Sequence, residues 1–240
     1  MKTKNGTFPP DNTAAPASVA GSGISPDEAL KKLLDGNRSF VENRLTIMES
    51  CGPAIRRAIA SEQHPYAIIL SCSDSRVPPE IIFNKGLGEL FVVRDAGNIV
   101  APIVLGTIEF AVQYFGATLI MVLGHSKCGA VTTAVDGNGY EGSNIGAVIE
   151  KIAPAVRLAG KQVEGSDKSR LVEATIDFNI RLSAQSLLSE SQLIHSLVDS
   201  GKVRIVCAKY DVEEGTVKLL SAEVNQYRVA FDMDLEPNLV

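Results

Sequence analysis

The sequence is short of the features that mark several functional classes. Its 240 residues contain four cysteines, too few for a disulfide scaffold. The longest apolar stretch, Ala117 to Leu123, is strand-sized and far below the roughly 18 residues of a membrane-spanning helix. There is no long basic run, and 23 Lys and Arg against 28 Asp and Glu leave a formal net charge of −5. Binding of nucleic acid through its phosphates, which needs clustered cations, is therefore not expected. No tryptophan occurs, no internal repeat is visible, and no linker divides the chain. Residues 1–24 lack the continuous apolar segment of a signal peptide. They read as a disordered tail of Lys, Asn, Thr, Ala, Pro, Ser and Gly. A cytoplasmic location follows from this reading, and a periplasmic or organellar one if a leader has been removed.

What is present suits one α/β domain: 45% of the residues are hydrophobic and 21% charged. Ser25-Pro26-Asp27-Glu28 has the pattern of a capping box with proline at the first helical position. Leu30, Leu33, Leu34, Phe40 and Val41 follow at helical spacing. That apolar stripe packs either on its own core or across a second subunit. Tyr66 to Leu70, Leu90 to Val93, Thr118 to Leu123 and Val203 to Ala208 read as buried strands. Pro102 to Phe115 reads as a helix closed by Gly116. A further helix is expected from Ser143 to about Leu158, broken or kinked at Pro154. A loop over Gly160 to Ser169 then leads to a long helical stretch ending near Ser200. Glu213-Glu214-Gly215 looks like a turn from which Thr216 to Leu220 returns. Buried strands alternating with helices predict a mainly parallel sheet covered by helices.

Two clusters carry chemistry. Ser71-Cys72-Ser73-Asp74-Ser75-Arg76 and Gly124-His125-Ser126-Lys127-Cys128-Gly129 each follow a predicted strand, where open parallel sheets bind ligands. Taken alone, a Cys at a strand end is usually a small buried hydrophobe, and a His-x-x-Cys pair is a weak signal. Together, at the ends of two strands that would have to be neighbours, Cys72, His125 and Cys128 point to a zinc site. Three ligands leave the fourth position open to water or to Asp74. Asp74 and Arg76, two residues apart, suit a bidentate ion pair in which the carboxylate stays charged and orients a metal-bound water. The alternative is an ordinary surface pair of little consequence. Two thiolates and a neutral imidazole cancel the charge of Zn²⁺. Its water should therefore ionise above the ~7 typical of a three-histidine site, and activity should rise on the alkaline side. A dinucleotide-binding reading of Gly86-x-Gly88 fails because the third glycine position is Phe91.

With these residues in place, the sequence resembles the β-class carbonic anhydrases from about Gly36 to Leu220. The likeness rests on Cys72-Ser-Asp-Ser-Arg76 and His125-Ser-Lys-Cys128-Gly129. It extends to Gly88-Glu-Leu-Phe-Val-Val-Arg94, Ala96-Gly97-Asn98 and Tyr210-Asp211-Val212 with Gly215. The resemblance implies reversible hydration of carbon dioxide to bicarbonate and a proton by attack of zinc-bound hydroxide. It assigns one zinc per chain to Cys72, His125 and Cys128, and the catalytic dyad to Asp74 and Arg76. Asp74 becomes a fourth ligand only in a closed, inactive form. Gln63, Phe91 and the Gly129 N–H take substrate-binding roles.

The fold so implied is a four-stranded, mainly parallel sheet with an added antiparallel edge strand, helices on both faces and an N-terminal helical arm. A single catalytic domain would span 25–240, with 25–62 as the arm of an obligate homodimer that can pair further into tetramers. Phe110 stands where some relatives carry Tyr, so a hydroxyl is missing there. Some relatives hold bicarbonate at a second, inhibitory site that uses a Trp three residues before the first zinc Cys. That position is Ile69 here, although Arg94 matches another member of that site, so the open form is expected. Related proteins act on carbon disulfide or carbonyl sulfide, and a closed zinc scaffold without turnover is a further alternative. His64 and His195 are candidate proton shuttles, against a loop position for the first and a structural helix position for the second.

Overall fold

In the computed structural model, residues 23–137, 140–163, 165 and 167–220 are described. Of the tail expected over 1–24 only residues 23 and 24 fall within that set, and 221–240 lie outside it. The first helix, α1 (Pro26–Val41), begins as its sequence dictates. Ser25 accepts from the Glu28 N–H at 3.2 Å, and the Glu28 carboxylate accepts from the Ser25 N–H at 2.8 Å. A short helix α2 (Pro53–Ala58) leads to strand β1 (Ala67–Cys72). Then come α3 (Pro79–Ile82), β2 (Leu90–Asp95), α4 (Pro102–Phe115) and β3 (Leu119–His125). The remainder is α5 (Gly129–Asp136), α6 (Asn144–Gln162), α7 (Lys168–Glu190), α8 (Gln192–Asp199), β4 (Arg204–Tyr210) and β5 (Val217–Leu219).

The sheet order is β2-β1-β3-β4-β5, parallel except for the antiparallel edge strand β5. This is the expected four-plus-one sheet. Alternate residues of the buried strands feed two cores. Ile68, Leu70, Ile120 and Val122 pack with residues of α4 to α8. Ala67, Ile69, Leu119, Met121 and Leu123 pack with α1 and α3. Helices thus cover both faces. The order reverses between β1 and β3: β2 lies beyond one of them and β4 beyond the other. Ligands bind at such a switch point, outside the carboxyl ends of the strands.

One open reading can be followed within the single chain, and two sequence expectations change. The stripe on α1 is used within the chain, with Leu30 and Leu33 buried against its own sheet and Leu34 and Phe40 packed at the margin. Helix α6 is not broken at Pro154 but continues to Gln162. Proline removes only the hydrogen bond to the carbonyl four residues back, and that residue, Glu150, is on the exposed side. The long helical stretch divides into α7 and α8 at Ser191. Its hydroxyl accepts from the Ile194 N–H at 3.2 Å and donates to Glu109 of α4 at 2.5 Å. Gly116 ends α4 in the left-handed conformation, as read.

Candidate metal centre

Cys72 is the last residue of β1 and His125 the last of its neighbour β3. Cys128 is the residue capping the start of α5, three positions after His125. The two Sγ atoms and an imidazole nitrogen lie within 4.8 Å of one another, and all three residues are buried. Ligands around a tetrahedral zinc, with bonds of about 2.0–2.3 Å, sit about 3.5–4 Å apart, so a small closure of this cluster would seat the ion.

The protonation pattern suits a cation as well. His125 Nδ1 is 2.9 Å from the Ser126 carbonyl, which can only accept, so Nδ1 carries the proton and Nε2 presents a lone pair. Nε2 is fully buried without a hydrogen-bond partner. An orphaned buried nitrogen costs about 1–3 kcal/mol unless something binds it. The Cys128 thiol, working against burial and aided by His125 and the Gly97 N–H, draws the Cys72 thiol below its ordinary range. Cys72 in turn pushes Cys128 up. Thiolate sulfurs are the form that binds a metal, so a divalent cation would compete with protons for this pair.

Asp74 lies beside this cluster, its Oδ2 3.9 Å from His125 Nε2. Arg76 grips it bidentately, Nε to Oδ1 at 2.9 Å and Nη2 to Oδ2 at 2.7 Å, and the Arg76 N–H adds a third bond to Oδ1 at 3.0 Å. The Arg76 guanidinium holds the carboxyl well below the usual carboxylate range, more than offsetting the effect of burial. Asp74 is therefore an anion tied to Arg76.

Other residues support the cluster: Arg94 and Gly97 stand in segments that carried the resemblance, while Asn179 had no signal in the sequence. Arg94 of β2 donates from Nε to the Cys72 carbonyl (3.1 Å) and from Nη2 to the Asp74 carbonyl (2.8 Å), so it braces the segment that carries both. Gly97 donates its N–H to Cys72 Sγ at 3.3 Å. Its φ is 84°, and a Cβ there would meet Ile152 Cδ1 at 2.8 Å. Asn179 of α7 donates to the Gly97 carbonyl at 2.7 Å and holds that turn. The one signal for Gly97 was its place in Ala96-Gly97-Asn98.

The remaining candidates are placed unequally. Gly129 opens α5 and is exposed. Phe91 of β2 is half-buried, its ring 5.7 Å from that of Phe115. Gln63 is exposed between α2 and β1, and no hydrogen bond ties it to the cluster. His64 is exposed and lies 3.5 Å from Glu62. His195 is occupied at both nitrogens, by the Leu188 carbonyl at 3.3 Å and Asp199 at 3.0 Å, which is a structural position. Ile69 is wholly buried in β1. Phe110 is 47% exposed and stacks near Tyr114 and Phe115.

Comparison with known proteins agrees with this geometry. The family model described as carbonic anhydrase matches residues 67–217, which contain all three ligand-type residues and the Asp74–Arg76 pair. Carbonic anhydrase 2 of Mycobacterium tuberculosis is 36% identical over 199 residues, covering 81% of this chain and 93% of that protein. The carbonic anhydrase of Mycolicibacterium smegmatis is 34% identical over 200 residues, covering 82% and 94%. Among solved structures, the β-carbonic anhydrase CcaA superposes with a TM-score of 0.64 at 28% identity, covering 80% of this chain and 95% of that one. Two tetrameric β-carbonic anhydrases of Sordaria macrospora share the fold, with a TM-score of 0.64 at 21% identity over 81% of this chain and 98% of that one. On the matched segment, the relatives and the fold, this chain belongs to the β-class carbonic anhydrases.

Proposed function

We propose that the chain catalyses the reversible hydration of carbon dioxide to bicarbonate and a proton, using one zinc ion held by Cys72, His125 and Cys128. The observation that carries this reading is the buried Cys–His–Cys cluster whose imidazole Nε2 has no partner, beside an aspartate drawn aside by Arg76. When bound, the ion supplies acidity to a water in its fourth position, and so a nucleophile for the carbon of carbon dioxide.

The protein's own groups do the rest. Arg76 keeps Asp74 ionised and turned away, so the fourth position stays free and the carboxylate can accept a hydrogen bond from the water there. Were Arg76 to release it, the same carboxylate would be near enough to close the site. The Gly129 N–H, first in α5, suits an oxygen of bicarbonate. Phe91 offers an apolar wall for carbon dioxide, and the Gln63 amide N–H a donor to bicarbonate.

A homodimer suits the single chain, which leaves Ile103, Phe110 and Tyr114 exposed along α4 by 85%, 47% and 49%. No helix among the described residues is long and apolar enough to cross a membrane. Free thiols at all four cysteines suit a reducing compartment such as the cytoplasm.

The test is a stopped-flow pH profile of hydration on the zinc-loaded protein. Two thiolates and a neutral imidazole leave the centre uncharged, so the rate should climb between about pH 6 and about pH 9, with its midpoint above ~7. A rate that is flat or falls over that range, or no turnover above the buffer background, would overturn the proposal.

A further inference from the structure

Lys127 stands between two of the ligand residues with φ at 56°, in the left-handed region that a side chain with a Cβ enters at a cost. Three contacts hold it there. Its N–H donates to Glu173 Oε1 at 3.4 Å, its carbonyl accepts from Arg76 Nη2 at 3.2 Å, and its Nζ lies 2.5 Å from Glu213 Oε1. Glu173, on α7, is itself fixed. Its Oε2 is 3.0 Å from Lys209 Nζ of β4, and that ammonium also donates to Asp177 Oδ1 at 2.9 Å, one turn along the same helix. Lys209 is largely covered. Burial alone would push its ammonium down, but the hydrogen bonds to Asp177 and Glu173 outweigh it and leave it raised and charged.

A chain of polar contacts thus runs from β4 through α7 to the loop between His125 and Cys128, and ends on the guanidinium that restrains Asp74. The other charged groups nearby are Arg170 and Arg181, which line a cleft of about 470 Å³ together with Glu173 and Asp177. None of the ligand residues lines that cleft.

We propose that Glu173, held by Lys209, is a positioning residue that fixes Lys127 so that its carbonyl receives Arg76, and so keeps Asp74 away from the cation site. This rests on the reading of Asp74 given under Proposed function. Arg76 is half-exposed, and an exposed ion pair holds weakly on its own. An acceptor at a fixed place on the far side of Nη2 sets the plane of the guanidinium and thereby biases the pair. A modest bias is enough, because the population of the open centre scales every ligand's apparent affinity for it.

The test uses the whole chain loaded with cobalt(II) and titrated with thiocyanate at one alkaline pH, followed by the visible absorption of the ion. A centre closed by Asp74 has no place for the anion, so the apparent dissociation constant rises as the open fraction falls. Glu173→Ala should weaken thiocyanate binding about threefold or more. Lys209→Met should act in the same direction, and it supplies the test should the first variant fail to fold. Asp177→Asn leaves the Glu173–Lys127 contact in place and should have the smaller effect. In an Asp74→Ala background, Glu173→Ala should change nothing, which a merely structural role would not give. Equal affinity in wild type and both variants, or the same weakening without Asp74, overturns the inference and leaves the proposed function standing. A wild type that takes up no cobalt removes both.

Discussion

In the proposed function, Asp74 either orients a water or closes the centre, and the bidentate pair with Arg76 decides between the two. Removing the guanidinium should leave the three ligands intact and free the carboxylate. Arg76→Ala should therefore keep its metal while hydration falls about 10–100-fold, the usual scale for losing an outer hydrogen-bond partner at a metal site; stopped-flow rates set beside metal content check this. Asp95, at the end of β2, behaves oppositely. Burial pushes its carboxyl up to about 7, against the Ile99 N–H and with help from Cys72, and Oδ2 finds no partner. A carboxyl raised in the fold stabilises it below the unfolded value of about 4, and that contribution is lost as pH rises towards about 7. Over that window the loss is at most about 4 kcal/mol. Asp95→Asn should flatten it, so that urea unfolding of the metal-free variant changes less than wild type between about pH 5 and about pH 8. Cys72, His125 and Cys128 and the Asp74–Arg76 pair were legible because they fall in two short local motifs. The bracing roles of Asn179 and Glu173 were not, and Arg94 was marked only through the family resemblance, since each acts through a backbone group brought near only by the fold.

At the scale of elements, the turn after β2 illustrates how a backbone position serves the centre. Gly97 combines a left-handed φ with a side chain of Ile152 where a Cβ would go, and its N–H points at Cys72 Sγ. Gly97→Ala should cost about 1–3 kcal/mol of stability in denaturant unfolding and loosen metal retention against a chelator, because both the strain and the clash push the N–H off the sulfur. Helix starts and strand cores were readable from caps and apolar runs: Ser25 and Gly116 stand at the ends they signalled. The course of α6 through Pro154 was not, because a proline's effect depends on which side of the helix loses its bond. Nor was the break at Ser191, a cap whose other partner is Glu109 on a distant helix.

At the scale of the molecule, strand order is what turns two motifs into one centre. The apolar runs mark Tyr66 to Leu70 and Thr118 to Leu123 as strands, but not that the strands they lie in, β1 and β3, are hydrogen-bonded neighbours. That adjacency, at the reversal of the sheet, delivers Cys72 and His125 to the same crevice. The same limit applies to α1: its stripe was compatible with the chain's own core or with a second subunit, and the fold shows Leu30 and Leu33 packed on the chain's own sheet while Val41 stays exposed. Everything else depends on the buried cluster accepting a metal. The most direct measurement is zinc content together with carbon dioxide hydration for wild type and Cys128→Ala. Wild type should carry one zinc per chain and turn over, while the variant, left with two ligands, should lose the metal and the activity together. A Cys128→Ala protein that hydrates carbon dioxide as fast as wild type, or a folded wild type that binds no zinc, would contradict the account.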